Sequence, residues 1–69
     1  MNFDQFRNIK HILLSENYHP FIFPEDEEIA KAHPCLKCGS TNMRGEGLRR
    51  PYHYRAFAIC DDCGNVSEF

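Results

Sequence analysis

Cys35-Leu36-Lys37-Cys38-Gly39 and Cys60-Asp61-Asp62-Cys63-Gly64 are the stretches whose reading decides how this chain folds. Each is a C-x-x-C-G knuckle, and 21 residues, Gly39 to Ile59, separate the two pairs of cysteines. Two residues between cysteines let a tight turn aim both sulfurs at one point. The glycine that follows can take a positive φ and turn backbone N–H groups toward the thiolates. A doubled knuckle is the ligand spacing of a tetrahedral, four-thiolate structural metal site. The expected ligands are Cys35, Cys38, Cys60 and Cys63, holding one Zn2+ per chain.

At 69 residues the chain has room for one small domain with a small core, and a structural metal is a common supplement to such a core. Structural zinc contributes on the order of 10 kcal/mol or more in small peptides, comparable to the whole stability of a domain. No stretch approaches the roughly 20 apolar residues of a membrane-spanning helix, and no basic-then-apolar secretory signal is present. The expectation is therefore a reducing, cytoplasmic location, where paired cysteines hold metal more often than they form disulfides. Two disulfides in a secreted domain are the rival reading, and the trailing glycines suit a metal better.

Working outward, residues 1–32 read as an N-terminal helical segment and residues 33–69 as a metal-stapled β unit. Phe3, Phe6, Ile9 and Leu13, with Ile12 and Leu14 alongside, recur at helical spacing and predict a helix over 3–16. Asn2 and Gln5 form a capping-box pair, Asp4 suits the first turn, and Asn17 and Pro20 mark the end. The apolar stripe is expected to cover the metal-bearing sheet. A homodimer through this helix, or a partner's groove, is the alternative cover.

Tyr18 to Pro24 reads as extended, because two prolines punctuate it. Pro24 and the carboxylates Glu25 to Glu28 predict a short second helix ending near Ala32. Beyond the first knuckle, Thr41 to Arg44 reads as a strand and Gly45-Glu46-Gly47 as a turn. Tyr52 to Ile59 reads as a strand with Phe57 and Ile59 on one face and Tyr54, Ala56 and Ala58 on the other. Val66 to Phe69 reads as a short last strand. The expected fold is a small α+β domain, an N-terminal helix packed on a three-stranded antiparallel sheet.

Residues 35–69 resemble a zinc ribbon: two C-x-x-C-G knuckles at the ends of β-hairpins. The resemblance carries over Cys35, Cys38, Cys60 and Cys63 as ligands, together with Gly39 and Gly64. It implies the fold and the metal but only loosely a function. Zinc ribbons occur in transcription factors, RNA polymerase subunits, ribosomal proteins and nucleic-acid enzymes. Rubredoxins share the paired knuckles but hold iron and carry one electron. They resemble this chain less well, because their inter-knuckle segment is longer and their cores normally include tryptophan, which is absent here.

His33 and His53 invite a mixed-ligand site, but four cysteines already complete a tetrahedron, and His11 and His19 lie outside the ribbon. Four protein ligands leave no open position for water or substrate, which marks a structural rather than catalytic metal. No nucleophilic triad or phosphate-binding glycine loop is present, so no enzymatic activity is expected.

The net charge of −2 conceals an asymmetry. In residues 1–32, Arg7, Lys10 and Lys31 face six carboxylates, a balance of −3. In residues 33–69, Lys37, Arg44, Arg49, Arg50 and Arg55 face Glu46, Asp61, Asp62 and Glu68, a balance of +1. Charge alone does not mark a polyanion binder. The segment Leu48-Arg49-Arg50-Pro51-Tyr52-His53-Tyr54-Arg55 is more informative. Arg49, Arg50 and Arg55 can pair phosphates, and Tyr52 and Tyr54 offer stacking faces to unpaired bases. The same residues could equally be the two faces of a strand, with arginine stems and tyrosine rings packed down. The expected function is a binding module for single-stranded nucleic acid or for a protein of the transcription or translation apparatus. The alternatives are an iron electron carrier, or a structural subunit docking through its helix.

Overall fold

Helix α1 spans Phe3–Ser15, one residue short of expectation, and a computed structural model describing residues 1–69 shows why it starts where it does. The Asn2 side chain accepts from the Gln5 N–H at 2.9 Å, and the Gln5 side chain accepts from the Asn2 N–H at 3.0 Å. Two N–H groups that the helix cannot satisfy are thereby bonded reciprocally. At the other end Asn17 takes a left-handed φ of 70°, and the Tyr18 N–H returns to the Leu13 carbonyl at 3.1 Å. Strand β1 is His19–Pro20, and α2 is Pro24–Ala32 with its proline in the first turn, as expected. Strands β2, β3 and β4 span Met43–Arg50, His53–Cys60 and Val66–Glu68.

The sheet has four strands, not three, in the order β1-β2-β3-β4, every pair antiparallel. The extra strand comes from the segment read only as extended: His19 pairs with Arg49 and Pro20 with Leu48. Proline is tolerated there because β1 is an edge. Phe21 donates its N–H to Gly47, so the alternation turns the Pro20 nitrogen away from β2, where no donor is required.

Gly45-Glu46-Gly47 is not a turn. It lies inside β2, opposite Ala58, Phe57 and Ala56, and neither glycine takes a positive φ. Here glycine serves for its missing side chain. Gly45 and Gly47 face α2 and the segment leading into it, where an added Cβ at Gly45 would meet Ile22 and one at Gly47 would meet the Phe21 carbonyl. Glu46 points to the opposite face and pairs with Lys10 of α1 at 3.3 Å. The turn is made instead by Pro51-Tyr52, between paired Arg50 and His53, with Tyr52 at a φ of 67°.

The result is three layers, because strand alternation sends successive side chains to opposite faces. One face carries Leu48, Phe57, Ile59 and Val66 against Phe6, Leu13 and Tyr18, with Phe6 and Phe57 rings 4.9 Å apart. The other face is built of small residues, Gly45, Gly47, Ala56 and Ala58, and receives α2, which rests mainly on β2 through buried Ala30. The parity read for Phe57 and Ile59 against Tyr54, Ala56 and Ala58 is thus observed, but both faces are covered by helices. No helix is long and apolar enough to cross a membrane.

Candidate metal centre

The two knuckles are built alike. Gly39 donates to the Cys35 carbonyl at 2.9 Å, and Gly64 donates to the Cys60 carbonyl at 3.0 Å. Cys35 donates to Ser40 at 2.8 Å, and Cys60 donates to Asn65 at 2.9 Å. Both glycines take left-handed φ values, 74° at Gly39 and 77° at Gly64, where any other residue would be strained. The sheet brings the knuckles together, because the first residue of β2, Met43, pairs with Cys60 at the end of β3.

All four sulfurs lie within 4.8 Å of one another and none is in a disulfide. Cys35 and Cys63 sulfurs are 3.5 Å apart, and those of Cys38 and Cys60 are 3.6 Å apart. A tetrahedron with metal–sulfur bonds of ~2.3 Å has edges of about 3.8 Å, so the residues present fit a four-coordinate thiophilic ion. A bound divalent cation supplies the positive charge that lets four crowded thiolates coexist. Cys35 and Cys60 are buried and Cys38 and Cys63 exposed, so the site sits at the rim of the core.

The backbone prepares the first thiolate. The N–H groups of Cys38 and Lys37 point at the Cys35 sulfur at 3.5 and 3.4 Å and hold its thiol down to about 6. For Cys38 the Ser40 N–H favours the thiolate, but the sulfurs of Cys63 and Cys60 and desolvation outweigh it and push the thiol up to about 12. Without a cation, one favoured thiolate opposes the next.

Around the sulfurs, the second knuckle grips the strand that leaves the first. Asp62 accepts from Ser40 and, at 3.2 Å, from Asn42. Those bonds hold the Asp62 carboxyl below its usual range, Ser40 contributing most. Asp61 accepts from the Arg44 Nε at 2.9 Å, and its N–H donates to the Asn42 carbonyl at 3.1 Å. Phe3 of α1 packs over Gly64, its ring 3.1 Å from where a Cβ would stand. Sequence reading missed this clasp, although two carboxylates inside a thiolate knuckle are a signal that they bind donors elsewhere.

No histidine joins the cluster, which consists of the four cysteines alone. His33 is the exposed C-cap of α2. His53 is exposed at the far end of β3, about 23 Å along the strand from Cys60 at ~3.3 Å per residue.

The residues read as a nucleic-acid contact divide into two groups. Tyr54 donates its hydroxyl to Asp26 of α2 at 2.7 Å, and Arg55 makes a two-pronged pair with Glu68, both bonds at 2.7 Å. Both are spent inside the fold. Arg50 lies over the Tyr18 ring at 5.1 Å and donates to the Glu16 carbonyl at 3.3 Å, supplying a cation at the end of a helix that has none of its own in its last turn. Its Nε is buried and has no partner. Arg49 stacks over Phe21 at 4.1 Å, and Tyr52 is 101 % exposed at the hairpin tip. Comparison with protein-family models, with curated proteins and with solved structures finds no match to this chain.

Proposed function

We propose that this chain is a zinc-stapled binding module that docks on single-stranded nucleic acid through the tip of its β2–β3 hairpin. One observation carries the reading. Of the eight Lys and Arg residues, Arg7, Lys10, Lys31, Arg44 and Arg55 have carboxylate partners, whereas Lys37, Arg49 and Arg50 have none. Two of those three are adjacent in sequence, and they flank the most exposed aromatic ring in the chain. Unneutralised guanidinium groups beside an open ring suit phosphates next to unpaired bases. The closed four-cysteine arrangement favours a structural metal, so the role is binding, not catalysis.

The test is a titration of the metal-loaded protein with RNA and single-stranded DNA at low salt. Amide signals of residues 48–53 are expected to shift, and Arg49→Ala is expected to weaken binding to all sequences and reduce the salt slope by about one. Unmoved amide signals in that segment overturn the proposal and redirect attention to a protein of the transcription or translation apparatus.

A further inference from the structure

Two phenylalanines in the extended segment before α2 lie half open to solvent, Phe21 at 38 % and Phe23 at 40 %. They extend a contiguous series in which neighbouring rings meet edge to face, at interplanar angles of 79° and 61°. Arg49 lies over Phe21 at 4.1 Å, the Phe21 and Phe23 rings are 4.9 Å apart, and the Phe23 and Tyr54 rings are 5.0 Å apart. The series is rigid at both ends. Phe21 donates its backbone N–H to Gly47 at 2.8 Å, and Tyr54 is tied to Asp26 at 2.7 Å. Exposed rings on a segment held by these bonds make a preorganised stacking surface, whereas rings on a free loop would have to be ordered on binding.

Charge gives the surface a direction. Arg49, with His19 beside it in the register, stands at one end. At the other end Phe23 caps α2, whose Glu25 and Glu28 have no cationic partner. Phosphates are therefore favoured near Arg49 and repelled beyond Phe23. A cationic peptide would meet the reverse problem at Arg49, and a duplex offers no free base face to the rings.

We infer that a bound single strand leaves the hairpin tip at Tyr52, crosses Arg49, and stacks its bases on Phe21 and Phe23, ending there. This rests on the nucleic-acid reading and adds the path, the footprint and its limit. Three stacking positions, Tyr52, the Arg49–Phe21 pair and Phe23, give a footprint of about three nucleotides.

The experiment uses the metal-loaded full chain and oligothymidylates of increasing length. Amide shifts are read on the wild-type protein, and affinities are read for wild type, Phe21→Leu and Phe23→Leu. The leucines keep apolar packing beneath the segment, and inorganic polyphosphate serves as a ligand without bases. Affinity is expected to stop rising steeply near three to four nucleotides, with shifts at residues 21–23 as well as 48–53. Phe23→Leu is expected to weaken oligothymidylate about tenfold and to leave polyphosphate binding unchanged. Shifts confined to residues 48–53, with both leucine variants binding as wild type, overturn the inference and leave the hairpin-tip reading standing. Affinity that keeps rising steeply well beyond four nucleotides overturns the footprint. No response at residues 48–53 to any oligonucleotide overturns both.

Discussion

Phe21 donates its backbone N–H to the Gly47 carbonyl at 2.8 Å, while its own carbonyl occupies the space a Cβ on residue 47 would need. The obstacle is backbone, which cannot swing aside, and the Tyr54 hydroxyl stands 2.7 Å from the same point. Gly47→Ala is therefore expected to lose more than about 2 kcal/mol. At Gly45 the nearest obstacle is the mobile end of Ile22, at 2.5 Å, with the next atoms at 3.4 and 3.5 Å. Gly45→Ala is expected to cost less than half as much. Thermal melts of the two variants check this, at ~4–8 °C per kcal/mol for a domain of this size. Equal losses would show that the close approach of Phe21 is not what requires glycine.

The metal centre predicts one zinc per chain. Cys60 is fully buried at the end of β3, so Cys60→Ser is expected to lose the metal and the dispersed amide spectrum of residues 35–69 together. α1 is expected to melt with it, because Phe3 and Phe6 rest on Gly64 and Phe57. Elemental analysis and absorption spectra decide the metal: a coloured, iron-loaded protein would support the electron-carrier alternative, and a chelated sample with native spectra would remove the structural role.

Glu68 is held below its ordinary value of 4.5, chiefly by its bonds from Arg55. A carboxyl whose folded value is depressed adds stability above its unfolded value and loses it as pH falls through the folded one. The difference in melting temperature between wild type and Glu68→Gln should thus be present at neutral pH, begin to shrink as pH falls below the ordinary value of 4.5 and vanish once pH has fallen through the lower folded value. Comparing the two proteins cancels acid release of metal, which affects both alike. A difference unchanged down to pH 3 would mean the pair is not coupled to folding.

Tyr54 is pushed above its ordinary value of 10 by burial and by the neighbouring Asp26 carboxylate. Tyr54→Phe leaves that half-buried carboxylate without its donor and is expected to cost about 1 kcal/mol. Tyr52→Phe, fully exposed, is expected to change nothing in the melt. The pair of melts separates a tyrosine that ties α2 to the sheet from one free to meet a ligand.

Several features were legible in the linear chain because their causes lie within a few residues of one another. The Asn2–Gln5 box, the proline and carboxylates that open α2, the alternation of β3 and the two knuckles are all of this kind. The fourth strand, the hairpin turn and the second covered face were not. Gly45-Glu46-Gly47 carries a turn signal because glycine permits unusual φ, yet here it serves close packing, and only the arrival of Ile22, Phe21 and α2 distinguishes the two uses. Tyr54 and Arg55 looked free beside Arg49 and Tyr52, but their partners stand 28 and 13 positions away along the chain. Local propensity and ligand spacing act over one turn of backbone. Which side chains remain open to a partner depends on long-range pairing, and that exists only once the sheet and both helices have closed on it.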